Sequence, residues 1–299
     1  MTYNLKTFFL KNQILFIINP ISGGKAKSNF PVLVEKYIDK GKFKPRYIFT
    51  EKVAHASELA AAAINDGTDV VVAVGGDGTI NEVASALVNT DCKMGIIPYG
   101  SGNGLARSLG IPLNEKKALI KLNDIKVEKI DSGSVNGKNF FNIAGVGFDA
   151  HISAMFAQSI SRGLKGYVKT TFKELTTYKA QQYHIEIDGT VYEREAFMIS
   201  IANSSQYGNN AHISPFASLK DGLLDVCIVK PFPLYSFPRM GVQMFNKTVH
   251  KSKFVEIIQG KEIKIIRQYS AAVHLDGEPE NMSANLTINV NPLSLAILN

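Results

Sequence analysis

Residues 69–79 read Asp-Val-Val-Val-Ala-Val-Gly-Gly-Asp-Gly-Thr, an apolar run that ends abruptly at paired glycines. Such a continuous run is typical of a parallel strand that is covered on both faces. Residues 14–19 and 94–97 show the same pattern, and residues 46–50 add a shorter strand. Helices are expected near residues 31–41, 57–66 and 79–88. This series of strand–loop–helix units predicts a doubly wound parallel sheet.

The pattern changes near residue 126, where short strand-like segments replace the alternation of strand and helix. The Asp188-Gly189 pair between two of these segments is a hairpin turn signal. The predicted strands are residues 127–135, 138–144, 183–188, 191–202, 224–230, 253–259, 261–267 and 271–275, with helices over much of 151–178 and between 233 and 246.

The chain has 299 residues, of which 45% are hydrophobic, so it is long enough for two domains with their own cores. We expect an α/β domain over residues 1–126 and a β-rich domain over residues 127–285. The last segment, residues 286–299, could pack back on the first domain.

The composition narrows the class of protein. Cys92 and Cys227 are too few for a disulfide framework, which favours a reducing compartment. No apolar run approaches the roughly 18 residues of a membrane span. The apolar residues 8–10 lie between Lys6 and Lys11 without a cleavage site, so we predict no signal peptide. The net charge of +7 is spread over both halves and is compatible with solubility, a nucleotide, a nucleic acid or an anionic membrane.

Three glycine-rich loops follow predicted parallel strands, at residues 19–25 (NPISGGK), 75–82 (GGDGTINE) and 98–107 (PYGSGNGLAR). Ligands of open α/β sheets bind outside the carboxyl ends of the strands. Glycine lets the backbone approach a phosphate closely, and a following helix N-terminus favours the anion. Three such loops therefore predict a phosphate-binding site.

Two familiar nucleotide motifs do not explain these loops. The P-loop pattern fails because Ala26 follows Gly24-Lys25. Residues 145–150 match the dinucleotide pattern G-x-G-x-x-A, but they lie in the β-rich half and are interpreted as a structural turn.

Asp77 lies among the glycines of the second loop. A carboxylate beside a phosphate is repelled unless a cation bridges the two or the carboxylate acts on a proton. Mg²⁺ on a nucleotide supplies such a bridge. The alternative is that Asp77 caps the helix beginning near Thr79, and both interpretations can hold together.

Six motifs occur in order along the chain, at residues 19–23 (NPISG), 75–82 (GGDGTINE), 98–103 (PYGSGN), 142–150 (NIAGVGFDA), 221–225 (DGLLD) and 276–278 (DGE). Together they resemble the diacylglycerol kinase catalytic-domain superfamily of lipid kinases, which includes soluble bacterial diacylglycerol kinases and sphingosine kinases. The resemblance covers nearly the whole chain. It implies an N-terminal phosphofructokinase-like α/β domain with a doubly wound parallel sheet, a C-terminal β-sandwich domain that binds lipid, and an active site between them.

The resemblance also implies an ATP- and Mg²⁺-dependent transfer of the γ-phosphate to a lipid hydroxyl. Asp77 corresponds to the catalytic aspartate, and Glu278 to the general base that accepts the hydroxyl proton. A structural Mg²⁺ is implied at Asp221, with Ser218 and the Leu223 carbonyl as further ligands. The implied ATP contacts are Asn19, Pro20, Ser22, Gly23, Thr50, Gly76, Gly78, Thr79, Asn81, Glu82, Ser101 and Asn103. On spacing alone, Asp276-Gly277 and Asp221-Gly222 indicate turns.

The lipid substrate stays open among diacylglycerol, a sphingoid base and related lipids. Gly104 stands where many diacylglycerol kinases carry aspartate, and Asn209-Asn210 replace glycines usual in that part of the family. One alternative is a kinase of a soluble substrate, because NAD kinases share the Gly-Gly-Asp-Gly loop, although the third loop and the 276–278 turn favour lipid kinases. Another is a non-catalytic nucleotide- or lipid-binding regulator, against which Asp77 and Glu278 argue.

Residues 231–245 are apolar and aromatic, and Lys247, Lys251 and Lys253 follow them. That combination is typical of a surface that touches anionic lipid, and the alternative is a core-facing helix followed by an exposed basic strand. Lys165, Lys169 and Lys173 are interpreted as a solvated helix face.

These patterns predict a cytoplasmic enzyme that is peripheral at the inner membrane face and makes transient contact with it. Its expected partners are ATP and a membrane lipid, with no nucleic acid, since no nucleic-acid recognition motif is visible. Edge strands of the β-rich half could support a homodimer.

Overall fold

A computed structural model describes residues 11–24, 26–157, 171 and 174–299. Four parallel strands form one end of a ten-stranded sheet, in the spatial order β2-β1-β3-β4. They are β1 (Asn12–Ile18), β2 (Phe43–Phe49), β3 (Val70–Gly75) and β4 (Lys93–Pro98). Every residue of β3 is buried, as the continuous apolar run predicts for a strand with helices on both faces.

Five helices connect these strands and lead out of the parallel region. They are α1 (Phe30–Tyr37), α2 (His55–Asn65), α3 (Asp77–Leu87), α4 (Gly104–Ser108) and α5 (Glu115–Leu122). Helix α3 buries Ile80, Val83, Ala84 and Leu87, which lie on one face because they are spaced three or four residues apart. The predicted doubly wound sheet is confirmed.

The remaining strands form the two layers of a β-sandwich. One layer is a six-stranded antiparallel sheet in the order β12-β11-β10-β7-β14-β15, and the other continues the ten-stranded sheet through β16, β13, β8 and β9. The strands are β5 (Val127–Val135), β6 (Lys138–Phe140), β7 (Ile143–Gly147), β8 (Gln181–Ile187), β9 (Thr190–Ala196), β10 (Met198–Ala202), β11 (Leu224–Val229), β12 (Val255–Gly260), β13 (Glu262–Ile266), β14 (Ala271–Leu275), β15 (Glu278–Met282) and β16 (Asn285–Leu298). Apolar side chains of both layers form one core, which confirms the predicted sandwich.

Two segments that the sequence predicts as single strands are each split between the layers. Residues 138–144 form β6 in one sheet and β7 in the other, and residues 191–202 form β9 and β10 in the same way. The second break is at Phe197, which lies between β9 and β10. Its N–H donates to the carbonyl oxygen of Val229, in β11 of the six-stranded sheet, at 2.7 Å. Both segments carry strand-forming residues on each side of the crossing, so the sequence pattern does not reveal it.

The C-terminal strand β16 joins the parallel region to the sandwich. Near its start it pairs with β13, and near its end Ile297 pairs with Met94 of β4 in parallel. The side chains of Leu286 and Ile288 lie in the sandwich core, whereas Leu295 and Ile297 lie in the core around the parallel strands. The domain limits at residues 126 and 285 stay predictions.

The helices of the second half whose bounds lie within the described residues are α6 (Phe148–Ala157) and α7 (Phe237–Phe245). The rest of the helix predicted within residues 151–178, including Lys165 and Lys169, lies outside the described residues, as do Lys173 and residues 8–10. Among the helices that the structure describes, none has the length and apolar character to cross a bilayer.

Candidate active site

The three glycine-rich loops lie against one another at the carboxyl edge of the parallel strands. Gly23 of the first loop has a left-handed φ of 65°, and a Cβ there would collide with Tyr99 O of the third loop. Gly76 and Gly100 approach so closely that a Cβ on Gly100 would lie 2.9 Å from the Cα of Gly76. Glycine is required at these contacts. Main-chain atoms rather than side chains therefore line the surface where the loops meet.

Asp77 is the first residue of α3, and its carboxylate reaches the third loop. Oδ2 accepts a hydrogen bond from Asn103 N and Oδ1 one from Gly104 N, both at 2.9 Å. The helix N-cap is Gly76, so Asp77 is not the capping residue. Burial raises the pKa of Asp77, the two backbone donors oppose that rise, and the charge of nearby Asp276 adds to it. A cation beside this carboxylate would relieve the cost of its buried charge.

The first loop is held to α3 by Asn19. Its Nδ2 donates to Thr79 Oγ1 at 3.0 Å, and its Oδ1 accepts from Ile21 N at 3.2 Å. Ser22 Oγ donates to the Asn19 carbonyl, and Thr50 N donates to Ile18 O where β2 ends. With the exposed Pro20, these predicted ATP contacts lie at the same sheet edge.

The third loop is shaped by Asn103, which has a left-handed φ of 51°. Its Oδ1 accepts from Gly100 N at 2.8 Å, and its Nδ2 donates to Gly100 O at 2.7 Å. The side chain therefore closes the loop on itself, while Ser101 stands exposed at the tip.

Two other predicted ATP contacts are engaged within the protein. The carboxylate of Glu82 accepts from Ala54 N at 3.2 Å and Ala56 N at 3.0 Å, at the N-terminus of α2. Asn81 Nδ2 donates to Asp276 Oδ2 at 2.8 Å and to Asn139 O at 3.1 Å. Both side chains hold neighbouring segments in place, and their roles toward ATP stay predictions.

Glu278 lies over the start of α3, although it is 201 positions (278 − 77) from Asp77 in the sequence. It follows the two-residue turn Asp276-Gly277, whose φ angles are 52° and 94°. Its Oε1 is 3.0 Å from the position that a Cβ on Gly78 would take. The structure thus brings Glu278 beside the residue that follows Asp77, and the absence of a side chain at Gly78 leaves room for it.

The side chains predicted to bind Mg²⁺ accept hydrogen bonds from backbone N–H groups two residues away. Asp221 Oδ1 accepts from Leu223 N at 3.1 Å, and Ser218 Oγ accepts from Lys220 N at 3.2 Å. Burial raises the pKa of Asp221, and the charges of Asp225 and Asp131 raise it further. Oxygen donors with excess negative charge suit Mg²⁺, which binds few carboxylates and keeps several waters. Within the described ranges, however, no three His, Cys, Asp or Glu side chains converge as metal ligands.

Two features of the site were not predicted. Lys27 is only 3% exposed, and its Nζ donates to Ser22 O at 2.5 Å and lies 4.6 Å from the centre of the Tyr99 ring. A lysine after a glycine loop normally points into solvent, so the sequence carries no signal for this burial. The second feature is Asn142, whose Nδ2 would collide with a Cβ at position 104. Gly104 therefore makes room for an asparagine.

Comparisons with known proteins agree with this fold. Residues 13–135 match the family model of the diacylglycerol kinase catalytic domain, and residues 142–299 match the YegS C-terminal NAD kinase beta sandwich-like domain. The diacylglycerol kinase of Bacillus subtilis (strain 168) is 28% identical over 281 residues, which cover 92% of each chain. A probable lipid kinase YegS-like protein of Pseudomonas aeruginosa (strain UCBPP-PA14) is 32% identical over 246 residues, 81% of this chain and 80% of that one. A solved diacylglycerol kinase structure from Bacillus anthracis str. Sterne has a TM-score of 0.72 at 21% identity and covers 96% of each chain, which supports the fold.

Fold and matches together define a phosphotransferase with an alcohol group as acceptor. The chain belongs to the diacylglycerol kinase catalytic-domain family, in the group that carries the YegS-type C-terminal sandwich.

Proposed function

We propose that this protein is an ATP- and Mg²⁺-dependent lipid kinase that transfers the γ-phosphate of ATP to a lipid hydroxyl. The observation that carries the proposal is the closeness of Glu278 to Gly78, the residue that follows Asp77. Glu278 Oε1 lies 3.0 Å from the Cβ position of Gly78, at the edge where the three glycine loops converge. Family membership implies ATP as the phosphate donor.

The proposed roles follow from the chemistry of each group. The attacking lipid hydroxyl must lose its proton, and the exposed carboxylate of Glu278 can accept that proton at Oε1 or Oε2. The glycine loops and the N-terminus of α3 offer backbone N–H groups to the phosphates. Asp77 would hold Mg²⁺ with the nucleotide, and the ion would neutralise phosphate charge. Phosphoryl transfer depends mainly on this positioning and neutralisation.

We further propose a structural Mg²⁺ at Asp221, with Ser218 Oγ and the Leu223 carbonyl as additional ligands. Support comes from the oxygen-only donors and from the raised pKa of Asp221 beside Asp131 and Asp225. A divalent cation there would relieve repulsion among the carboxylates.

The substrate is proposed to be a lipid with a free hydroxyl, such as a diacylglycerol, a sphingoid base or a related lipid. The relatives named diacylglycerol kinase favour the first. A Cβ at Gly104 would collide with Asn142 Nδ2, so packing against Asn142 is one reason for glycine at this position.

Transient contact with a membrane is part of the proposal, through α7 and the residues around it. Helix α7 buries Met240, whereas Tyr235 is 84% exposed and Phe245 is 60% exposed. No acidic residue occurs between Asp225 and Glu256, and this stretch carries five lysines and arginines. Lys230 pairs with Glu256 at 2.9 Å, and exposed aromatic side chains beside the remaining positive charges suit an anionic bilayer. Homodimerisation through an edge strand such as β9 stays a prediction.

The test supplies purified protein with labelled ATP, with and without Mg²⁺, and mixed micelles of one candidate lipid at a time. We expect one lipid to gain a single phosphate by mass spectrometry, only when Mg²⁺ is present. NAD is included as a soluble acceptor. Transfer to NAD, or to none of the hydroxylated lipids, would overturn the proposal.

A further inference from the structure

Asp276, the first residue of the turn before Glu278, accepts four hydrogen bonds. Its Oδ1 accepts from Asn142 N at 2.8 Å and from Ile143 N at 3.1 Å. Its Oδ2 accepts from Asn81 Nδ2 at 2.8 Å and from Phe141 N at 3.0 Å. The acceptor capacity of this carboxylate is therefore used by hydrogen bonds within the protein.

The four donors belong to two separate segments. Asn81 lies on α3, four residues after Asp77, so it is about one helical turn from that residue. Residues 141–142 form the connection in which the chain crosses from β6 to β7, and Ile143 is the first residue of β7. Asn81 also donates to Asn139 O at 3.1 Å, which ties α3 to the same connection. One carboxylate thus joins the hairpin, the helix and the crossing.

The position of Glu278 depends on this junction. Leu275 pairs with Glu278 across a two-residue turn, so the backbone of Glu278 is set by Asp276 and Gly277. Both turn residues have the positive φ angles that the tight turn requires, and Asp276 N donates to Ile143 O at 2.9 Å. The side chain of Glu278 then lies against Gly78 of the helix that Asp276 grips.

We propose that Asp276 is a positioning residue for phosphoryl transfer, which holds the hairpin that carries Glu278 in register with the helix that carries Asp77. This inference rests on the proposed function, because it gives Asp276 its meaning through Glu278 and Asp77. Asp276 itself, with its oxygens occupied by protein donors, makes no contact with the reacting atoms.

Asp276→Asn is the sharpest change. Asparagine keeps one oxygen for Asn142 N and Ile143 N, but its amide N–H groups then face Asn81 Nδ2 and Phe141 N, so donors oppose donors. We expect kcat to fall about 10-fold to 100-fold, since small displacements of a reacting group are costly. The KM for ATP should stay within about twofold, because Asn81 of the second glycine loop already donates its amide hydrogens to Asp276 and Asn139 O, and no donor comes from the first or third loop.

Asp188 offers a matched control. It also begins an Asp-Gly hairpin turn, with φ angles of 48° and 81°, and its carboxylate accepts from Lys261 N and Glu262 N. Asp188→Asn therefore makes the same chemical change in the same kind of turn, where no proposed site residue lies. We expect its kcat to stay within about twofold of the original chain.

A double-mutant cycle tests the route through α3. If Asp276 acts through Asn81, the double variant Asp276→Asn/Asn81→Ala should have a kcat little lower than that of the more damaging single variant. Multiplied losses in kcat would mean that the two residues act separately, and would overturn the inference. A loss of kcat matched by Asp188→Asn, or a KM for ATP that rises along with it, would also overturn it.

Amide hydrogen exchange supplies a readout that needs no activity. In Asp276→Asn we expect exchange to speed up about 10-fold at both residues 78–82 and 278–280, with no such change in Asp188→Asn. Unchanged exchange at α3 would refute the junction even if the enzyme is active. Faster exchange at both places in a protein that phosphorylates no lipid would establish the junction and refute the proposed function instead.

Discussion

The turns at Asp276-Gly277 and Asp221-Gly222 are alike in sequence but differ in what they contact. The first is bonded to α3 and to the β6–β7 connection, and it places Glu278 against Gly78. The second is bonded to its own Leu223 N and to buried Asp131, which accepts from Gly222 N at 2.8 Å.

This contrast shows that an Asp-Gly pair specifies a turn, whereas the neighbouring segment decides what its carboxylate can do. We propose that the carboxylate beside the glycine loops acts on the substrate, and that the one among other carboxylates binds a cation. We therefore expect changes around the first turn to affect rate, and changes at the second to affect metal-dependent stability.

Asp77→Asn should have the largest effect, because it removes the charge of the carboxylate that is proposed to hold Mg²⁺ with the nucleotide. Asparagine loses the charge and can accept only one of the two bonds from Asn103 N and Gly104 N. We expect kcat to fall at least about 1000-fold, as for loss of charge stabilisation in phosphoryl transfer. The measurement is single-turnover transfer from labelled ATP.

Circular dichroism and a thermal melt accompany that assay, since an unpaired buried donor costs about 1–3 kcal/mol. A folded variant with rates within tenfold of the original would show that Asp77 is not catalytic.

Glu278→Gln should reduce kcat by about 100-fold to 1000-fold, because the amide cannot accept the hydroxyl proton. Glu278 is exposed at the start of β15, so the melting temperature should change little. Glu280→Gln on the same strand is the control, since its carboxylate pairs with Lys138 at 2.9 Å on the surface. Equal activity of the two variants would remove the first turn from the reaction.

Much of the α/β region could be predicted because its central strands are covered on both faces, so burial appears directly in the sequence as runs such as residues 69–74. The sandwich was harder to predict. Residues 138–144 and 191–202 each read as one strand, since a crossing between layers keeps the same apolar composition.

The candidate site divides in the same way. The glycine loops are visible in the sequence because each follows a strand. In contrast, the side chain of Glu278 meets α3 only through tertiary pairing of β14 with β15 and β7. Without the family resemblance, the sequence of its turn indicates only an ordinary hairpin. The burial of Lys27 depends on the packing of the first loop against Tyr99, which no local pattern records.

Gly104→Ala tests whether displacing Asn142 affects the Asp276-Gly277 turn. The new Cβ would collide with Asn142 Nδ2, and Asn142 N donates to Asp276 Oδ1. We expect about 1–3 kcal/mol of destabilisation by chemical unfolding and a kcat about 10-fold lower.

Gly241→Ala in α7 is the control for that change, because a Cβ there meets open space and helical alanine is favourable. If Gly104→Ala were as stable as Gly241→Ala, Asn142 would have room to move and its contact would not explain the glycine.

Asp221→Asn should have the smallest effect on rate and is the direct test of the second turn. In the original chain we expect millimolar Mg²⁺ to raise the melting temperature, and in Asp221→Asn we expect that increase to be lost. At saturating Mg²⁺, kcat should change less than about threefold, because Asp221 is bonded within its own turn rather than to α3. Asp91→Asn, at an exposed aspartate, should keep the full Mg²⁺ response.

The pH dependence of stability tests the surroundings of Asp221 without Mg²⁺. The pKa of Asp221 is raised by burial and by Asp225 and Asp131, so its ionised form costs stability above the folded-state pKa. Asp221→Asn should therefore match or exceed the original chain in stability at pH 7 without Mg²⁺. This advantage should shrink as the pH falls toward 4, because the original carboxyl then gains a proton in the folded state. Thermal melts at both pH values measure it, and a variant that is less stable at pH 7 but still responds to Mg²⁺ would place the metal elsewhere.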